Sequence, residues 1–229
     1  MRSIRVRSAA QFVFAAGVLM LAGCESVPEV PLAGAGARVV AVDGRARYSD
    51  ATHSWHKLSP GGSLQSGSVI QTALGSTLDL AIPVAGSAEA DRILLQSDTA
   101  LSVEALPTTA GDTNGYVKLQ LRKGELTFTS PPSGHGSPCE IRWAKGLASA
   151  RGATFLLRSE GQLKVFRGVV ALKTADEQTA RSVPAGNLYD AQTGTLSPLQ
   201  AGESAASFAP RPVARPQTPQ WPPWPTRKY

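Results

Sequence analysis

The residues of this sequence whose type and spacing could support chemistry are few, and the thiols come first. Cys24 and Cys139 are the two cysteines. Cys139 sits in Ser137-Pro138-Cys139-Glu140, where no cation stands near enough to favour a thiolate, so it reads as a passive thiol in a loop. Of the three histidines, His53 and His56 flank Trp55 and would make a metal corner only with a third ligand. Nothing near them in sequence supplies one, so they read as surface or half-buried polar groups, and no metal is expected. Serines are plentiful, but no Gly-x-Ser-x-Gly elbow positions one as a nucleophile. The expectation is therefore no catalytic residues, no cofactor and no enzyme. Arg151-Gly152 is the most distinctive internal pair. An arginine at a strand-entry turn can grip an anion or a partner's carboxylate through two parallel N–H bonds, although pinning its own loop is the preferred reading. Trp55 and Trp143 could together form a ligand platform, though a tryptophan more often packs in or beside a core.

The N-terminus gives Cys24 its context. A basic stretch from Met1 to Arg7 runs into the apolar segment Phe12 to Ala22, followed by Leu21-Ala22-Gly23-Cys24. This is the layout of a signal sequence. The apolar run falls short of the roughly 20 residues that a membrane-spanning helix needs. No later stretch of that length appears. Leu-Ala-Gly-Cys resembles the bacterial lipobox, in which a small residue before the cysteine lets the lipoprotein signal peptidase cut. That resemblance implies cleavage between Gly23 and Cys24, a diacylglyceryl thioether on the Cys24 sulfur, and acylation of the new amine. Each buried CH₂ contributes about 0.8 kcal/mol, so two or three chains anchor stably where one does not. Glu25 follows the cysteine, where an aspartate would favour retention in the inner membrane, so the outer membrane is favoured. A lipidated Cys24 leaves Cys139 unpaired, and the domain must fold without a disulfide.

Charge excludes one class of partner. The formal net charge is +6. The excess lies at the ends, in Arg2, Arg5 and Arg7 and in Arg211, Arg215, Arg227 and Lys228. Between them, residues 24–204 hold 16 basic against 17 acidic side chains. A body so close to neutral offers no phosphate-tracking surface, so nucleic acid is not expected as a partner.

With 42% hydrophobic and 17% charged residues the chain can bury a core, while 22 glycines and 17 prolines favour turns over long helices. From Ala37 onward it reads as short strands between Gly, Pro, Asn and Asp clusters. Tyr116 to Leu121 alternates, with Val117, Leu119 and Leu121 on one face. Glu125 to Phe128 repeats the pattern after Arg122-Lys123-Gly124, a connection short enough for a hairpin, so these two strands are expected to pair. A second hairpin is expected from Thr154 to Arg158 and Gln162 to Phe166, turning at Ser159-Glu160-Gly161, with Val169 to Leu172 following. Earlier strands are expected at Val39–Val42, Ala46–Tyr48, Ser54–Leu58, Ser68–Thr72, Thr77–Ile82, Arg92–Leu95 and Ala100–Val103. The expected fold is all-β, a sandwich, roll or solenoid-like domain, preceded by a cleaved signal helix.

Several stretches together resemble the FecR-type domain, a periplasmic domain named after the regulator of iron-citrate uptake. They are Gly44-Arg45-Ala46-Arg47-Tyr48, Leu58-Ser59-Pro60-Gly61-Gly62-Ser63-Leu64 continuing to Thr72, Ser76 to Leu80, and Leu94 to Val103. Further on, Lys123-Gly124-Glu125-Leu126 resembles the family's Lys-Gly-x-Leu turn. Arg151-Gly152-Ala153-Thr154-Phe155 resembles its Arg-Gly-Thr-x-Phe element, with Ala153 where the family has Thr. The resemblance covers Val39 to Leu188. It implies a periplasmic all-β domain that, in FecR itself, relays a transporter's signal to a cytoplasmic tail.

The expected organisation is a signal peptide at 1–23, a linker at 24–37, a FecR-like all-β domain at 38–200, and a basic, aromatic Pro-rich tail at 201–229. The prolines of that tail lack donors and fix φ, so it reads as polyproline II or as a disordered terminus. Arg151, Trp221 and Trp224 are the candidate partner-binding residues. The expected function is a non-enzymatic envelope lipoprotein facing the periplasm and held to the membrane by its lipid. It acts as a binding or assembly module for an envelope protein or a cell-wall glycan. The alternative is a sensor or accessory component of a transporter-linked sigma-factor system. The sequence leaves the oligomeric state open.

Overall fold

A computed structural model describes residues 36–50, 52–84, 89–107, 115–131, 136–174, 180–200 and 202–203. Cys24, Gly23, Trp221 and Trp224, with the signal segment and most of the tail, lie outside the described residues. The described part is all β. Eighteen strands form two nine-stranded sheets. They are β1 (Ala37–Asp43), β2 (Ala46–Ser49), β3 (Trp55–Lys57), β4 (Ser63–Leu64), β5 (Val69–Thr72), β6 (Thr77–Pro83), β7 (Ala90–Leu95), β8 (Ala100–Ala105) and β9 (Val117–Lys123). The second half comprises β10 (Glu125–Thr129), β11 (Cys139–Trp143), β12 (Gly146–Ala150), β13 (Thr154–Arg158), β14 (Gln162–Arg167), β15 (Val169–Thr174), β16 (Arg181–Pro184), β17 (Asn187–Asp190) and β18 (Thr195–Pro198).

The first sheet runs β18-β17-β14-β13-β10-β7-β6-β1-β4 and the second β16-β15-β12-β11-β9-β8-β5-β2-β3. Alternate residues point between the sheets, where one continuous core forms from Leu78, Leu80, Ile93, Phe128, Phe155 and Leu157 on one side and Ile70, Leu101, Leu119, Ile141 and Leu172 on the other. This is the period-2 burial expected of stacked sheets.

One expected pairing is overturned. β9 and β10 do not form a hairpin: β9 pairs with β8 and β11 in the second sheet, and β10 with β7 and β13 in the first. Gly124, at φ 86°, is instead a corner where the chain leaves one sheet for the other. The physical reason lies in its neighbours. Gly124 N donates to Ser159 Oγ (3.0 Å) in the β13–β14 turn, and Glu125 N donates to Thr99 Oγ1 (3.1 Å) in the β7–β8 corner, so the corner is stitched to neighbouring connections rather than closed on itself. The corners at residues 44–45 and 73–76 continue the row, with Arg45 N donating to Ser76 Oγ (2.9 Å) and Ala73 N to Arg45 O (2.9 Å). At the other end of the strands a second row of corners is bonded through Ser130 N to Ala153 O and Ala185 N to Gly168 O. Every sheet-changing corner exposes backbone groups that no ladder satisfies, and stacking the corners satisfies them. The hairpin expected between β13 and β14 forms as read, turning at Gly161.

Cys139 also departs from its expected place. It opens β11, pairs in parallel register with Val117, and is buried in the core. Burial pushes its thiol well above the ordinary value, and the charges of Asp91 and then Glu140 push the same way.

A buried acid secures the second row of corners. Asp91 is 0% exposed, and its carboxylate accepts from Ser130 Oγ (2.7 Å) and from Ser137 N (2.9 Å), tying the start of β7 to both ends of the loop between β10 and β11. Burial raises its pKa from 3.8, against the opposing effect of these hydrogen bonds. Asp91→Ala strands two buried donors and is expected to cost about 1–3 kcal/mol. Asp91→Asn keeps both contacts if Nδ2 donates to the Ser130 hydroxyl, and is expected to stay within about 1 kcal/mol of wild type. The raised value sets the sign of the pH dependence. Asp91's contribution is complete below 3.8 and declines as pH rises through its folded value, whereas an asparagine has no such decline. Urea unfolding across that window should show Asp91→Asn gaining on wild type with rising pH, and a gap that shrinks instead would contradict the assignment.

Candidate functional site

The described surface offers recognition chemistry chiefly at the β2–β3 edge of the second sheet. β3 ends that sheet, and all three of its residues are exposed. In antiparallel register Arg47 faces Lys57, Tyr48 faces His56 and Ser49 faces Trp55. Because successive side chains alternate across the pleat, two clusters form.

On one of them Trp55, 44% exposed, lies under the guanidinium of Arg47, whose Cζ is 4.4 Å from the ring centroid. Arg47 is fixed from behind by Gln71, whose Oε1 accepts from Nε (3.0 Å) and Nη2 (2.8 Å). The pair is a rigid aromatic face with a cation on it, suited to stacking on a planar or ring-shaped group.

On the other, the rings of Tyr48 and His56 lie 5.2 Å apart, and His56 Nε2 meets Asp50 Oδ2 at 3.1 Å. Asp50 also accepts from Thr52 Oγ1 (2.6 Å), Thr52 N (2.9 Å) and Ser54 N (3.3 Å), a side-chain turn that sets the β2–β3 connection. The Thr52 hydroxyl first, then His56 and the backbone amides, hold its carboxyl down at about 2. Asp50 is thus a fixed anion beside His56. His53 stands in the same connection at φ 62°. No group of three or more His, Cys, Asp or Glu side chains is disposed to hold a metal among the described residues.

The residues singled out from the sequence are scattered. Trp143 is 3% exposed in the core, and its Nε1–H has no acceptor among the described residues, so it forms no platform with exposed Trp55. Arg151 lies exposed in the corner between β12 and β13. No hydrogen bond or ion pair engages its guanidinium among the described residues. What sequence reading missed is Arg47. The signal was present in Arg47-Tyr48 and Trp55-His56, two alternating pairs either side of an Asp-containing turn, which is the pattern of a short edge hairpin.

No family model matches the chain, and no curated protein matches it. Among solved structures, two crystal structures of a "putative anti-sigma factor" from Parabacteroides distasonis are similar to it, at 16% and 15% identity and a TM-score of 0.43 in both cases. The likeness covers 61% of this chain and 62% of each of those chains, so it spans less than two thirds of their length.

Proposed function

We propose that this protein is a non-enzymatic lipoprotein of the bacterial envelope, anchored by acyl chains on Cys24, whose FecR-like β domain is a binding or assembly module. The observation that carries the reading is Leu21-Ala22-Gly23-Cys24 at the end of an apolar run, a short distance before β1 begins at Ala37. An anchor so close to the domain holds it against the membrane surface, the outer membrane being favoured by Glu25. The Trp55–Arg47 stack and the exposed Arg151 supply recognition groups for a protein or cell-wall glycan partner, with Trp221 and Trp224 of the tail as further candidates.

The test joins anchoring to binding. Wild type should incorporate labelled palmitate and sediment with the outer membrane, whereas Cys24→Ser should do neither. Cross-linking in the envelope, with Arg151→Ala and a chain ending at 203 beside wild type, should capture a partner that one of these variants loses. Identical fractionation of wild type and Cys24→Ser would sink the reading. A second reading, an accessory component of a transporter-linked sigma-factor system, rests on the ordered FecR-like motifs from Gly44 to Phe155. It is distinguished by loss of a sigma-factor-dependent transcript when the gene is deleted.

A further inference from the structure

The two sheets differ on the faces turned away from the core. The outer face of the second sheet carries exposed Lys118, Arg122, Arg142 and Lys173, as a solvated face should. The outer face of the first sheet does not follow this rule. Asp79, Leu94, Thr127 and Leu156 stand side by side in register across β6, β7, β10 and β13. They are 3%, 7%, 3% and 0% exposed, although none belongs to the core between the sheets. Thr127 Oγ1 is buried with no hydrogen-bond partner among the described residues. A leucine on the outer pleat of a two-layer fold reaches zero exposure only beneath something.

The chain itself points to what that is. After β18, at the sheet edge, Leu199 N donates to Gly186 O, and the carboxylate of Glu203 is then held by Lys164 on β14. Lys164 lies in register with Leu156. Glu203 therefore lies within side-chain reach of β14, two strands in from the edge, on the face that carries the buried row. Leu94 lies three strand spacings beyond Lys164, about 14 Å. Five extended residues span about 16 Å, so Phe208 reaches it.

Charge selects how much of the tail belongs there. The cations bordering the row are engaged, Arg92 with Asp79 of the row and Arg158 with Glu125, so the row presents two leucines and a threonine beside an already paired carboxylate and no unpaired charge. Residues 204–210, Ser-Ala-Ala-Ser-Phe-Ala-Pro, carry no charge, whereas basic residues begin at Arg211. We propose that residues 204–210 dock across the outer face of the first sheet, with Phe208 over the Leu94–Leu156 row, so that only the basic Pro-rich segment from Arg211 onward is left to project.

The test uses Thr127→Cys as a reporter in three chains: full length, ending at 210, and ending at 203. Alkylation at position 127 is read by peptide mass, which separates it from Cys24 and Cys139. The first two chains should label at the same slow rate, and the third at least about tenfold faster, because protection then requires the docked segment. Adding Phe208→Ala to the full chain should move it toward the fast rate. Equal rates in all three chains overturn the proposal. Slow and equal labelling in sedimenting dimers would show that a second copy covers the face instead. Slow and equal labelling in monomers would assign the cover to another part of the chain.

Discussion

Gly124→Ala should lower the unfolding free energy by about 3 kcal/mol, made up of roughly 1–2 for forcing a side chain into the left-handed region and the rest from collision. The corner sits at φ 86°, and a Cβ there would lie 2.4 Å from Thr99 Oγ1, 2.7 Å from Thr99 Cα and 2.9 Å from Asp98 O. Two of those atoms are backbone of the neighbouring corner, so relief would pull apart the Thr99 bridges to Glu125, and the loss should spread to both sheets. Gly75 supplies the control. It is also left-handed, at φ 66°, but a Cβ there meets nothing within 4 Å, so Gly75→Ala should show the backbone cost alone, about 1 kcal/mol. Urea denaturation of the two variants separates conformation from contact. Equal midpoints would show that the stacked corners do not hold the sheets together.

The same residue shows where sequence reading reaches its limit. Short apolar and alternating runs between turn residues placed β1 to β3, β5 to β10 and β13 to β15 within a residue or two, and where burial is one-sided it leaves a period-2 trace in the chain itself. It could not say that Arg122-Lys123-Gly124 turns between sheets. A corner and a hairpin ask for the same glycine, and only the partners on neighbouring connections, Thr99 and Ser159, distinguish them. β11 and β12 escaped notice because Ser137-Pro138 reads as loop, yet Glu140 to Trp143 does alternate and Ala144-Lys145 makes a tight turn into Gly146. β16 to β18 escaped because they lie at or near the sheet ends, with β18 wholly exposed, so burial left little pattern in them. The recognition edge was half legible. Trp55 stood out by type, but its exposure and its stacking on Arg47 depend on β3 being the last strand of its sheet, a fact of topology. The buried outer row of the first sheet was hidden for a related reason. Leu156-Leu157 reads as a strand buried on both faces, and nothing in those residues tells which element supplies the second cover.

The largest single loss is expected at Phe128. Phe128 and Phe155 are both 0% exposed and stand directly opposite each other on β10 and β13, the central pair of the first sheet. Their ring centroids are 5.6 Å apart at an interplanar angle of 35°, close to the tilted contacts that aromatic pairs favour. Phe128→Ala removes a whole ring from a site bounded by paired strands on both sides, which cannot close on the space. The cost should be about 3–5 kcal/mol. Phe155→Ala should fall in the same range. The double variant should lose less than the sum by about 0.5–1.5 kcal/mol, the share belonging to the ring pair itself. Trp55→Ala makes the opposite case: a larger side chain, yet exposed on an edge strand, whose removal should stay within about 0.5 kcal/mol. Thermal unfolding of the four proteins therefore separates aromatic residues that hold the fold from the one that the fold displays. If Trp55→Ala proved as damaging as Phe128→Ala, the β2–β3 edge would be part of the core's support, and its reading as a surface free to bind a partner would have to be given up.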